Sequence, residues 1–111
     1  MGISPALKGK QMMTQNGLER YRAYIHAHIE KIRKAGPEVR VRDFTDEELR
    51  EFIGTRLTEN QRRAVELRFS EPFPTLKTIG EQMGVRRERV RQLLEESFNR
   101  LMRPESGFRM D

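Results

Sequence analysis

Four arginines stand within six residues, Arg86-Arg87-Glu88-Arg89-Val90-Arg91, and Gln92 follows them. These are side chains that can read DNA bases. Arginine donates a pair of hydrogen bonds to guanine O6 and N7, glutamine forms a matching pair with adenine, and glutamate accepts from the cytosine amino group. On a helix, Arg87, Glu88, Arg91 and Gln92 share one face through their three- and four-residue spacings. Arg86 and Arg89 lie to the side, where phosphates are the natural target. Thr75 and Leu76 open the preceding helix, whose first backbone N–H groups suit a phosphate oxygen. The same residues also fit a solvated face, with Glu88 paired to Arg91 or Gln92 and Arg91 paired to Glu95. The local pattern alone does not separate these two readings.

The elements that must carry these side chains read as helices. Thr75 is placed to cap a helix with Leu76, Ile79 and Met83 inward. Gly84 then tolerates the positive φ of a sharp turn, with Val85 expected beneath it. A final helix is expected over about 86–102, with Val90, Leu93, Leu94, Phe98 and Leu101 facing the core. Together these segments make a helix-turn-helix. Upstream, Thr58 and Gln61 form a capping box for a helix carrying Ala64, Val65, Leu67 and Phe69, which ends near Ser70. The prolines of SEPFP break the chain after it. Thr45 and Glu48 form another capping box, for a short helix with Leu49, Phe52 and Ile53 that closes near Gly54. The alternating VRVRDF before it reads as an extended linker. The first helix shows Leu18, Tyr21, Ile25, Ile29 and Ile32 on one stripe. Its expected signals are an Asn16–Glu19 capping box and a Gly36-Pro37 stop. The stripe fits either a packed layer or a surface for a partner or a second copy.

Composition narrows the function classes. Of 111 residues, 35% are hydrophobic and 35% charged, which allows a small helical core. The net charge is +5 and the isoelectric point about 10.1, a balance that favours polyanionic partners. There is no cysteine, and His26 and His28 point to different faces of a helix, so no metal site is expected. No Gly-rich phosphate loop, cysteine nucleophile or Ser–His–acid set stands out, so neither an enzyme nor a cofactor is expected. No apolar run approaches a membrane span, and residues 1–11 lack the apolar centre of a signal peptide, so the expected location is the cytoplasm, with the nucleoid.

LTENQRRAVELRF (57–69) and TLKTIGEQMGVRRERVRQLLEESFNRLMRP (75–104) are similar to region 4 of housekeeping bacterial sigma factors. The likeness covers a little under half of the chain and is densest at TL..IG.QMGV.RERVRQ. In that family, region 4 reads the −35 promoter element in the major groove and docks on the flap of the polymerase β subunit. The resemblance implies that Arg87, Glu88, Arg91 and Gln92 read bases. Thr75, Leu76 and Arg89, with Arg86 beside them, would meet the DNA backbone. It further implies that Leu57, Val65, Leu67, Phe69, Phe98 and Leu101 grip the flap with apolar side chains. Several positions depart from the family. Arg86 replaces a Thr or Ser cap, the SEPFP loop is shorter, and Lys77 replaces an acid. Leu94, Glu96 and Asn99 change the far part of the last helix, so activator contacts of the family do not carry over. Nothing before residue 57 resembles region 2, the aromatic-rich part that melts promoters, so the chain is not expected to start transcription alone.

The resulting expectation is an all-α protein: a tail at 1–14, N-terminal helices over 15–55 for packing, dimerisation or partner contact, a region 4-like helix-turn-helix domain over 56–104, and a frayed tail at 105–111. Its expected partners are double-stranded promoter DNA and bacterial RNA polymerase through the β-flap, with a sigma factor or other subunit as a further candidate. The expected role is that of an accessory or split-sigma factor, of phage or bacterial origin. The alternative is a region 4 mimic that acts through protein contacts without reading DNA. Promoter sequence, direction of regulation and oligomeric state are not legible.

Overall fold

The computed structural model describes residues 13–35 and 40–110. Among them the fold is all-α: α1 (Gln15–Ala35), α2 (Asp46–Thr55), α3 (Glu59–Arg68), α4 (Leu76–Met83), α5 (Arg87–Leu101), then a 3₁₀ turn at Pro104–Ser106.

Local chemistry sets most helix starts. Two of the three expected capping boxes are formed: Thr45 Oγ1 accepts from Glu48 N while Glu48 accepts from Thr45 N, and Thr58 and Gln61 do the same. Arg42 also grips Glu48, and this ion pair with the cap holds the carboxyl below its usual range. The start of α1 differs from expectation. Thr14, not Asn16, is the cap: Gly17 N donates to Thr14 Oγ1 at 3.1 Å and Leu18 N to the Thr14 carbonyl. The preceding Met13 is buried and its carbonyl accepts from Arg50, so the tail expected over 1–14 is anchored at least from residue 13. Residues 1–12 and the Gly36-Pro37 stop lie outside the described residues.

The α1 stripe is core. Leu18, Tyr21, Ile25 and Ile29 are buried with Val65, Phe69, Leu94, Phe98 and Leu101 in one cluster, and Ile32 packs against it half-buried. Gly17 lies so close to Phe69 that an added Cβ would fall 2.0 Å from the Phe69 carbonyl oxygen. The Tyr21 ring packs on Phe69 with centroids 5.0 Å apart. Its hydroxyl lies 3.2 Å from Ser97 Oγ. Ser97 Oγ donates its single proton to the Leu94 carbonyl, so Tyr21 is the donor of the pair. Arg22 and Gln15 both bind Asp46, which ties the start of α2 to α1 and lowers the Asp46 pKa.

The C-terminal segment is a correction. Residues 105–110 are packed rather than frayed. Phe108 is buried, stacked on Phe44 at 4.9 Å and 6°, and near Phe52. Val41 and Arg109 form an isolated antiparallel bridge, with Arg42 N bonded to Phe108 O and Met110 N to Arg40 O. The alternating segment before α2 thus pairs, through this one bridge, with the residues around Arg109. Two aromatic side chains leave water together there, which a free tail would forgo.

Candidate nucleic-acid interface

The α4–α5 turn depends on two glycines. Gly84 has φ 75°, a left-handed conformation that a residue with a Cβ adopts at a cost, and its N–H bonds back to Gly80 O. A Cβ on Gly80 would fall 2.6 Å from Val85 O and 3.3 Å from Arg87 N, so only glycine lets the two helices approach this closely. Val85, expected beneath the turn, is instead 37% exposed: its backbone makes the turn, donating to Gly80 O, while its side chain faces solvent. Arg86 is the N-cap of α5 without a side-chain cap bond, as its replacement of Thr or Ser implies.

Five of the eight residues expected to meet DNA share one groove. Arg86, Arg87, Glu88, Arg89, Arg91 and Gln92 are all exposed, as is Thr75, and Leu76 is half-buried. A groove of about 410 Å³ is lined by Thr75, Leu76 and Lys77 at the start of α4, by Arg87, Glu88 and Arg91 on α5, and by Arg68. Arg86, Arg89 and Gln92 lie outside that lining. Arg68 is an addition that the sequence reading did not single out. It reads there as an ordinary last-turn cation, and only the tertiary fold turns it into the groove, where its Nη1 also holds the Pro74 carbonyl at 2.9 Å.

The arginines differ in how they are held. Arg91 sits between two carboxylates. Its Nε donates to both Glu88 oxygens at 3.1 Å, and its terminal nitrogens pair closely with Glu88 and Glu95. The arginine hydrogen bonds hold the Glu88 carboxyl below its usual range, and Arg91 is correspondingly harder to deprotonate. Arg89 pairs with Glu96 at 3.1 Å, and Gln61 Nε2 donates to the other Glu96 oxygen at 3.2 Å. Glu96, one of the departures from the family, therefore links α5 to the cap of α3. Arg86 and Arg87 make no side-chain hydrogen bond or ion pair among the described residues, and Arg87 acts on the Glu88 carboxyl only through its field.

The six apolar residues expected to grip a polymerase flap do not form one surface. Leu57 and Leu67 are half-buried at the exterior, whereas Val65, Phe69, Phe98 and Leu101 are interior. Tyr21 and Tyr24 of α1 cover Phe69, and His28 lies 5.2 Å from the Phe98 ring. α1 thus shields Phe69 and Phe98, while Val65 and Leu101 are fully buried in the core.

Among the described residues, no group of three or more His, Cys, Asp or Glu is arranged to hold a metal, and no helix is long and apolar enough to cross a membrane. Residues 55–103 match the family model described as Sigma-70, region 4. No curated protein and no solved structure matches the chain. The match begins at the last residue of α2 and leaves α1 outside it. The match supports a sigma region 4-like domain over these residues, a kind of domain associated with DNA binding in transcription.

Proposed function

Starting from residues 55–103 as a sigma region 4-like domain, we propose that the protein is a transcription regulator that binds a −35-like promoter element with α5 in the major groove. Arg87, Glu88, Arg91 and Gln92 read bases, while Thr75, Leu76, Arg86 and Arg89 meet the backbone. The observation that carries this reading is the single groove joining the start of α4 to the exposed face of α5, with Arg87 unpaired at its wall among the described residues. Glu88 and Arg91 enter the complex as a pair. Arg91 exchanges a carboxylate for guanine acceptors, and Glu88 turns to a cytosine amino group, so the pair suits a G·C-containing step. The protein acts beside RNA polymerase as an accessory or split-sigma subunit, in the cytoplasm with the nucleoid. Polymerase contact begins at Leu57 and Leu67, the two of the six residues that are half-buried rather than interior.

A second reading, a region 4 mimic that engages polymerase or a regulator without reading DNA, draws on one observation: Arg89 and Arg91 are already neutralised by Glu96, Glu88 and Glu95. Selection from a random duplex pool separates the two. The DNA reading expects an enriched motif with a cytosine position that Glu88→Gln relaxes. A pool that returns unenriched, together with polymerase capture that Leu57→Asp and Leu67→Asp abolish, would leave only the mimic.

A further inference from the structure

The outer side of α1 carries a cation that the fold holds in place. The Arg20 guanidinium lies over the Phe73 ring, 4.0 Å from its centroid. Phe73 belongs to the loop between α3 and α4, two residues before Thr75 caps α4. The loop is itself fixed: Phe73 N donates to Ser70 O at 2.7 Å, and Arg68 holds the Pro74 carbonyl. An arginine stacked on an aromatic face keeps its N–H edges free for an anion in the ring plane. Arg20 is exposed and has no carboxylate partner among the described residues.

Farther along α1, Tyr24 packs on Phe69 and His28, and its phenol lies in the fields of Glu95, Arg91 and Arg68. Arg20 on Phe73, two residues before Thr75, and Tyr24 on Phe69, next to Arg68, bring the helix beside the groove that Arg68 and Thr75 line. Lys31 falls on the Arg20–Tyr24 side of α1, because eleven residues make close to three full turns. It is exposed, has no ion-pair partner among the described residues, and stands roughly 16 Å beyond Arg20 along the helix axis.

We propose that α1 extends the DNA interface: Arg20, and beyond it Lys31, take phosphates flanking the stretch that α5 reads. The protein then holds a longer piece of duplex than its region 4-like segment reaches, through contacts that carry no sequence information. This inference rests on the DNA-binding reading above.

The test compares the full-length protein with Arg20→Ala and with Arg20→Ala/Lys31→Ala, using fluorescence anisotropy on the selected duplex and on a scrambled one across a salt series. Arg20→Ala should weaken both duplexes by the same factor, roughly three- to tenfold, and each cation removed should lower the slope of log affinity against log salt by about one. Phe73→Leu keeps the charge but removes its platform, and should give a smaller loss on both duplexes. Thermal melts of the Arg20 variants should match the unsubstituted protein, which separates a contact from a structural role. Unchanged affinity and slope in the double variant, with the unsubstituted protein binding the selected duplex, would overturn the inference and leave the DNA reading standing. A loss confined to the selected duplex would also overturn it. Failure of the unsubstituted protein to bind either duplex would remove the DNA reading and this inference with it.

Discussion

Replacing Ile25 with alanine tests whether α1 is part of the folded unit or a detachable arm. Ile25 is fully buried, on the stripe between Tyr21 and Ile29 that faces the helix-turn-helix core. The change removes three carbons, a transfer loss of about 2.4 kcal/mol at roughly 0.8 kcal/mol each. The cavity left among fully buried neighbours raises the expected cost into the range of about 2–5 kcal/mol. Against a total stability of about 5–15 kcal/mol that is a large fraction. For a domain of this size it corresponds to a fall in Tm of roughly 10–20 °C. Ala27→Ser, on the exposed side of the same helix, should stay within about 0.5 kcal/mol. The chain supplies its own probe: it has two tyrosines and no tryptophan, and both tyrosines, Tyr21 and Tyr24, lie on α1. Tyrosine fluorescence therefore reports α1, while far-UV circular dichroism reports every helix. Urea unfolding followed by the two signals should coincide, in the unsubstituted protein and in Ile25→Ala alike. Loss of the tyrosine signal well before the helical signal, or an Ile25→Ala midpoint close to that of Ala27→Ser, would refute the packing of α1 on the domain.

The same two tyrosines give a pH signature. Burial pushes the Tyr24 phenol up to about 12, and Tyr21, more deeply buried, higher still. An unfolded tyrosine ionises near 10, so the stabilisation is complete below about pH 10 and is lost as pH rises toward the folded values. Phenolate absorbance should therefore appear together with loss of helix; half-titration near 10 with the helices intact would contradict the burial. Glycine substitutions should split by position. Gly80→Ala drives a Cβ into backbone atoms of the turn and should lower both Tm and DNA affinity. Gly54→Ala, an open site within α2, should raise stability by about 0.4–1 kcal/mol in a thermal melt.

What was legible in the sequence was what is local. The Thr45–Glu48 and Thr58–Gln61 boxes each bond within four residues, so residue types at fixed spacing suffice to place them. Gly84 is similar, because the turn needs one residue of positive φ. The pairing of Arg91 with Glu88 and Glu95 also follows from spacing on a helix. The misses are contacts between distant parts of the chain. Phe108 on Phe44 leaves no periodic trace in a segment that ends in glycine and charge. The cap of α1 falls at Thr14 because Met13 is drawn into the core, a tertiary pull that a capping pattern at Asn16 does not register. The groove role of Arg68, the Gln61–Glu96–Arg89 link and the seat of Arg20 on Phe73 likewise exist only once helices are placed beside one another. The apolar residues assigned to polymerase by resemblance have the right type. Phe69 and Phe98 are covered by rings of α1, which lies outside the matched segment, and Val65 and Leu101 are fully buried in the core.

Base reading by the α5 face is the central proposal for this protein. Its most direct test is the binding of the selected duplex and a scrambled one by the unsubstituted protein, Arg87→Ala and Arg91→Ala at several salt concentrations. The unsubstituted protein should prefer the selected duplex, and its binding should weaken steeply as salt rises. Each substitution should remove about 1–3 kcal/mol of that preference, leaving salt-dependent binding that no longer distinguishes the two duplexes well. Equal affinity of all three proteins for both duplexes would contradict it.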